Sequence, residues 1–191
     1  IVQTDGCSTI KVKVTGDLAG DEARVAAVRH ELDRALGIGV GKIRIDANAC
    51  WSVSEAITAI HCLSAYSLEY VEQPVASLNE LRELKERLIV DVKIAGDEVL
   101  RKAEEPFAID LDGAIDVLML KVSPLGGIKR SLELAAHHKL PVVVSSALES
   151  AVGISYGLKL AAQLPVLNYA CGLATSALMK ADVGVIPIEN G

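Results

Sequence analysis

Three carboxylates, Asp46, Glu72 and Asp97, each stand where a short apolar run gives way to a polar loop. The runs are KIRID (42–46), LEYVEQP (68–74) and VKIAGDE (92–98). Hard oxygen donors from two or three carboxylates, with water and substrate in the remaining positions, are the set that Mg²⁺ prefers. One such residue alone could as well cap the following helix or pair with a nearby lysine. Three at consecutive run ends, evenly spaced, point instead to a shared ion.

Lysines sharpen that reading. In IKVKV (10–14), Lys11 and Lys13 alternate with Val12 and Val14, so both lysines share one face of an extended strand. If the valines pack under helices, the lysines face the interior, where a buried ammonium is costly unless carboxylates or a metal site lie beside it. Lys121 interrupts the otherwise apolar VLMLKVS (117–123). Lysines that snorkel to solvent are better represented by Lys42 or Lys129.

Weaker candidates are Ser145 and Ser146, which close PVVVSSA (141–147) and could bind a substrate carboxylate or finish a turn. Asn48 lies two residues beyond Asp46, on the same side if the chain stays extended, and is a candidate substrate contact. Gly172 ends LNYACGL (167–173) and is grouped with them. Gly126-Gly127 reads as a turn pair opening a helix. The histidines (His30, His61, His137, His138) fall within helical patterns and receive no catalytic role; His137 and His138 suit the negative end of a helix. Cys7, Cys50, Cys62 and Cys171 form no CxxC pair and read as ordinary thiols of a cytoplasmic protein, with Cys171 set apart because it falls where a barrel strand should end.

The elements that must position these groups alternate in kind. Short apolar runs are separated by amphipathic stretches at 21–36, 52–66, 78–88, 127–138 and 150–164, the signature of βα units with a parallel sheet. Ser52 and Glu55 read as a capping box, and 102–112 reads as a weaker helix interrupted by Pro106. The polar residues closing the later runs (Asp46, Glu72, Asp97, Lys121, Ser145, Cys171) recur every 24–26 positions. Parallel strands joined by right-handed crossovers bring their C-terminal ends to one rim, which in a (β/α)₈ barrel is the active-site face. A doubly wound open sheet would spread the same residues along an edge, so the expected fold is an α/β, TIM-type barrel. Seven runs are counted, against eight strands and about 250 residues in a complete barrel. We therefore expect a catalytic barrel over 1–175 lacking its first strand, a connection over 176–191, and flanking sequence outside this chain.

Composition excludes several partners. With 191 residues, 51% hydrophobic and 23% charged, the chain can bury a sizeable core. A net charge of −6 and 3% aromatic content speak against nucleic acid and anionic membranes. No apolar run is long enough to span a bilayer, and the first residues lack the pattern of a secretion signal. A small-molecule carboxylate is the expected partner; oligomeric state is not legible.

KVKV, RIDAN, VEQP, GDE and LKVSPLGG, in this order and spacing, resemble the enolase superfamily, in particular its muconate-lactonising branch. IRIDANACWSVSEA, YVEQPV, DEVLRKAEEP, VSSALESAVGI and ACGLAT are closer still to the o-succinylbenzoate synthases of actinobacterial type. The resemblance implies that Asp46, Glu72 and Asp97 ligate Mg²⁺, or Mn²⁺ in its place. It implies Lys13 as general base and then acid, Lys121 as the charge-stabilising group opposite it, and Lys11 as tuning Lys13 by like-charge proximity. The implied reaction is the dehydration of 2-succinyl-6-hydroxy-2,4-cyclohexadiene-1-carboxylate to o-succinylbenzoate in menaquinone synthesis. Abstracting a proton next to a carboxylate creates an enediolate dianion, whose charge a divalent cation offsets; a lysine base with Mg²⁺ is the pairing known for this superfamily. The chain shows nothing corresponding to the family's N-terminal capping domain, and DEV stands where DES is usual. Racemisation of N-acylamino acids or epimerisation of dipeptides is the alternative within the branch. ACGLA, in place of the Asp-x-Asp of dipeptide epimerases, counts against the latter. A non-catalytic truncated barrel is the alternative outside it.

Overall fold

The structure is a computed structural model that describes residues 6–187. The chain divides into two compact units. One takes in the chain up to Val99 with Asp112–Ile115, and the other Leu100–Leu111 with Asp116–Pro187.

In the first unit, β1 (Thr9–Lys13), α1 (Leu18–Leu36), β2 (Lys42–Asp46), α2 (Val53–Leu63), β3 (Leu68–Glu72), α3 (Leu78–Arg87) and β4 (Lys93–Gly96) follow in strict alternation. A one-turn helix, α4 (Glu98–Arg101), comes next, its last two residues belonging to the second unit. Strands β1 to β4 pair in parallel, each with the next, and the register sets Lys13 opposite Asp46 and Asp46 opposite Glu72. Helices cover such strands, so residues on both faces are apolar or paired. Ile43, Ile45, Tyr70, Val71 and Ile94 are all fully buried. The helices contribute Val25 and Leu32, then Ala56, Ile60 and Leu63, then Leu81 and Leu84, at the three- and four-residue spacing of a single helical face.

Helix starts are encoded locally. Ser52 and Glu55 form the expected capping box, and Ser77 with Glu80 forms a second at the start of α3. Each pair satisfies backbone N–H groups that the first helical turn leaves without partners.

In the second unit, β5 (Val117–Leu120) and β6 (Val142–Val144) pair in parallel, with α5 (Ile128–His138) between them and α6 (Ala151–Gln163) after them. Gly126 and Gly127 take positive φ at the start of α5, as a turn pair does, and His137 and His138 lie in its last turn. The parallel βα order within each unit is that of a (β/α) barrel; the described residues form six strands, against eight in a complete barrel.

Two expectations are corrected. The seventh run, 167–173, is no strand; it meets the sheet at an isolated bridge between Ser145 and Gly172. Leu167, at the start of the run, is 41% exposed and does not pack as a strand's apolar residues would, and Gly172, near its end, adds no side chain to a ladder. The helix expected over 102–112 is also absent. After Arg101 the chain proceeds in turns, because Pro106 lacks a donor and biases Glu105 away from helical geometry.

Candidate metal and proton-transfer site

The ends of β1, β2 and β3 bring four charged side chains together. Asp46 and Glu72 are fully buried, and Asp97, two residues past the Ala95 that pairs with Glu72, is 1% exposed. Lys11 Nζ donates to Glu72 Oε2 at 2.7 Å and lies 3.3 Å from Asp46 Oδ2. Lys13 Nζ donates to Asp46 Oδ2 at 2.5 Å and to Asn48 Oδ1 at 2.6 Å.

The lysines differ from expectation in one respect. Both face the carboxylates, while Val12 and Val14 are buried on the other side, but neither lysine is fully buried. The side chain of Lys11 is 28% exposed and that of Lys13 60%. The carboxylates are the buried partners, and the ammonium groups reach them from a more open strand. This is the cheaper arrangement, because a long aliphatic stem lets the charge stay partly hydrated.

Electrostatics follow from the geometry. Burial pushes the Asp46 carboxyl up, but Lys11, Lys13 and the Asn48 N–H outweigh it and hold the group below the usual carboxylate range. Burial likewise opposes the Lys11 ammonium, yet Glu72 and Asp46 overcome that and raise its pKa. Two buried carboxylates thus demand positive charge between them.

Asn48 reaches the site by a different backbone route from the extended one anticipated. Asn48 and Ala49 both have positive φ (44° and 61°), so the chain turns sharply after β2. The turn is closed by Asn48 N donating to Asp46 Oδ1 at 3.0 Å, a local side-chain bond that stabilises left-handed Asn. Its amide nitrogen donates to Glu98 Oε1 at 3.3 Å. A connected line therefore runs from Lys13 through Asn48 to Glu98, which is itself buried.

Glu98 and Gln73 were not singled out from the sequence. Both adjoin a candidate ligand, Asp97 or Glu72, and that adjacency was the available signal. Asp21 was also missed: fully buried, it accepts from the backbone N–H groups of Thr15 and Gly16 at 3.0 Å, anchoring the loop that leaves Lys13.

In the second unit, Lys121 directly follows β5 and is half-buried. Ser145 and Ser146 directly follow β6 and are buried. The Ser146 hydroxyl is engaged with Gly172 O at 3.0 Å and Thr175 Oγ1 at 2.9 Å. Gly172 lies so close to Ser145 that an added Cβ would stand 3.2 Å from its hydroxyl. Together they make a compact end to β6, with backbone bonds on both sides of Gly172. The four cysteines are free thiols.

The residues present fit a divalent ion by donor chemistry. Asp46, Glu72 and Asp97 supply hard oxygens at the ends of adjacent strands, about 4.8 Å apart across a sheet. The Lys11 ammonium stands against both Glu72 and Asp46, so positive charge is held between these two carboxylates. Among the described residues, no three His, Cys, Asp or Glu side chains are already gathered around one point. Side-chain rotation at Asp46, Glu72 and Asp97 would have to complete the set.

Strand-end carboxylates faced by a Lys-x-Lys strand, on parallel βα units, define the class. The chain matches the enolase C-terminal domain-like family across residues 1–191 and belongs to that family. An o-succinylbenzoate synthase of Thermobifida fusca is 48% identical, over 100% of this chain and 62% of its own length. One from Mycobacterium tuberculosis is 52% identical, over 93% of this chain and 53% of its own length. The chain thus spans a little over half the length of these curated relatives. Among solved structures, muconate lactonizing enzyme from Pseudomonas putida superposes with a TM-score of 0.83 at 22% identity, covering 99% of this chain and 53% of that one. N-succinyl Arg/Lys racemase from Bacillus cereus gives a TM-score of 0.80 at 24% identity, over 95% and 49%. At these identities the likeness is one of fold.

Proposed function

We propose that this chain is the catalytic barrel segment of an o-succinylbenzoate synthase. In that reading a cytoplasmic enzyme eliminates water from 2-succinyl-6-hydroxy-2,4-cyclohexadiene-1-carboxylate in menaquinone synthesis. The observation that carries the reading is the contact of Lys13 Nζ with Asp46, at the rim where buried Asp46 and Glu72 meet Lys11. The identity of about half to curated o-succinylbenzoate synthases supports this choice of substrate.

A Mg²⁺ ion on Asp46, Glu72 and Asp97 would offset the negative charge that develops on the substrate carboxylate. The chain's own residues do the rest. Lys13 Nζ, as the neutral amine, takes the proton next to the carboxylate and returns it to the departing hydroxyl, so one group serves as base and then acid. Asn48 and Asp46 hold that nitrogen in place, Asp46 at 2.5 Å and Asn48 at 2.6 Å. Lys11 keeps a fixed positive charge between Glu72 and Asp46. Lys121, Ser145, Ser146 and Gly172 carry over from the resemblance, Lys121 as the second charge-stabilising lysine and the others as substrate contacts.

Two lysines would serve racemisation equally well, and the fold is shared with an N-succinyl Arg/Lys racemase. Assaying the full-length protein with the cyclohexadiene carboxylate, and separately with N-succinylamino acids in D₂O, tests the choice. Mg²⁺-dependent formation of o-succinylbenzoate is expected, lost with EDTA and restored by Mg²⁺. Deuterium exchange at the amino-acid α-carbon without any dehydration would replace the synthase by a racemase.

A further inference from the structure

Gln73 does more than its place after Glu72 suggests. It is fully buried and takes φ 39°, a left-handed conformation that non-glycine residues adopt only when their surroundings fix them. Its side-chain carbonyl accepts from Asp97 N at 3.0 Å and from Val99 N at 3.2 Å. Its amide nitrogen donates to Val75 O at 2.8 Å. On the backbone, Gln73 N donates to Ala95 O at 2.8 Å, and Gln73 O accepts from Ala49 N at 2.7 Å. One residue therefore ties the turn beside Asn48, the loop after β3 and the turn that bears Asp97.

We propose that Gln73 is a positioning residue that fixes the backbone of Asp97, and so aims its carboxylate, for a divalent ion. Asp97 leaves β4 straight into the one-turn helix α4, whose first N–H groups have no partner within the helix. The Gln73 carbonyl caps that turn from the neighbouring strand, at a residue already joined to Glu72. The orientations of Glu72 and Asp97 are thereby coupled through one buried amide. Groups that orient metal ligands in this way typically change metal affinity about 10–100-fold when removed. The inference rests on the metal-site reading above.

The test compares Gln73→Met, which keeps length but loses the acceptor, with Ser77→Ala, which weakens the α3 capping box away from the site. Mn²⁺ binding is read by electron paramagnetic resonance on the full-length protein, with Asp46→Asn as the variant that abolishes it. Gln73→Met is expected to bind Mn²⁺ about 10–100-fold more weakly, while Ser77→Ala binds like the native protein at a similar or lower melting temperature. Native-like affinity in Gln73→Met overturns the proposal. A native protein that binds no Mn²⁺ overturns the metal-site reading itself, and this inference with it. Amide hydrogen exchange of the native metal-free protein adds a result independent of whether the variant folds. The Asp97 and Val99 amides are expected to be protected without metal, and free exchange there overturns the proposal.

Discussion

Lys11 and Lys13 share one carboxylate but hold it differently. Lys11 sits between Glu72 and Asp46 and keeps its proton more firmly than an isolated lysine; Lys13 is the more exposed and also touches Asn48. A pH dependence of stability follows for the metal-free chain. The folded pKa of Asp46 is lowered, so its contribution is present above the unfolded value of about 3.9 and is lost as acid titrates through the folded value. The folded pKa of Lys11 is raised, so its contribution is complete below about 10.4 and is lost as pH climbs through the folded value. Urea titrations should therefore show a plateau at neutral pH with losses on both flanks. Lys11→Ala should remove the alkaline loss and cost about 1–3 kcal/mol at pH 7, since two buried carboxylates lose a charged donor. An unchanged urea midpoint would refute the pairing. The carboxylates and lysines were legible because a charge that closes an apolar run is chemically conspicuous. Gln73's bonds were not, since they depend on a positive φ that residue type does not encode for Gln; Asn48's route follows from the left-handed tolerance of Asn, a signal that two-residue alternation overrides.

Close approach governs how the elements hold these residues. Gly96 ends β4 immediately before Asp97, and a Cβ added there would meet Ile115 Cδ1 at 2.9 Å and Val99 Cγ2 at 3.1 Å. Gly96→Ala is predicted to cost about 1–3 kcal/mol through overpacking and to weaken Mg²⁺ binding, because the displaced segment carries Asp97. Thermal melting with and without Mg²⁺ checks both parts; a fully native Mg²⁺ response would separate Gly96 from the site. At α3, Ser77→Ala should lower stability by about 1 kcal/mol and leave Mg²⁺ binding intact. The capping box at Ser52 could be read from the sequence because both partners lie within one turn. The alternation of strands and helices was legible for a similar reason, since period and length are local properties. The single-bridge pairing at Gly172 was not, because a strand exists only if its neighbour supplies a ladder. The failed helix over 102–112 shows that amphipathic spacing is insufficient where Pro106 removes a backbone donor.

For the molecule as a whole, membership of the enolase C-terminal domain-like family sets the architecture, and parallel order sets which strand ends can cooperate. No helix among the described residues is long and apolar enough to cross a membrane. The chain covers 53–62% of the length of the synthases it resembles, so the reaction is a property to test on the full-length protein. An ion that binds only the folded state stabilises it by mass action, about 2.7 kcal/mol at a hundredfold excess over Kd. Mg²⁺ should therefore raise the melting temperature of the native protein and leave Asp46→Asn unmoved. Equal responses would place the ion elsewhere. In the proposed reading, Lys13 transfers the proton at a Mg²⁺-dependent carboxylate site. Turnover of the cyclohexadiene carboxylate by native protein and Lys13→Ala, at saturating Mg²⁺, tests it most directly. A loss of about 10²–10⁴ in kcat with Mg²⁺ binding retained is the predicted result, and dehydration at the native rate by Lys13→Ala would contradict it.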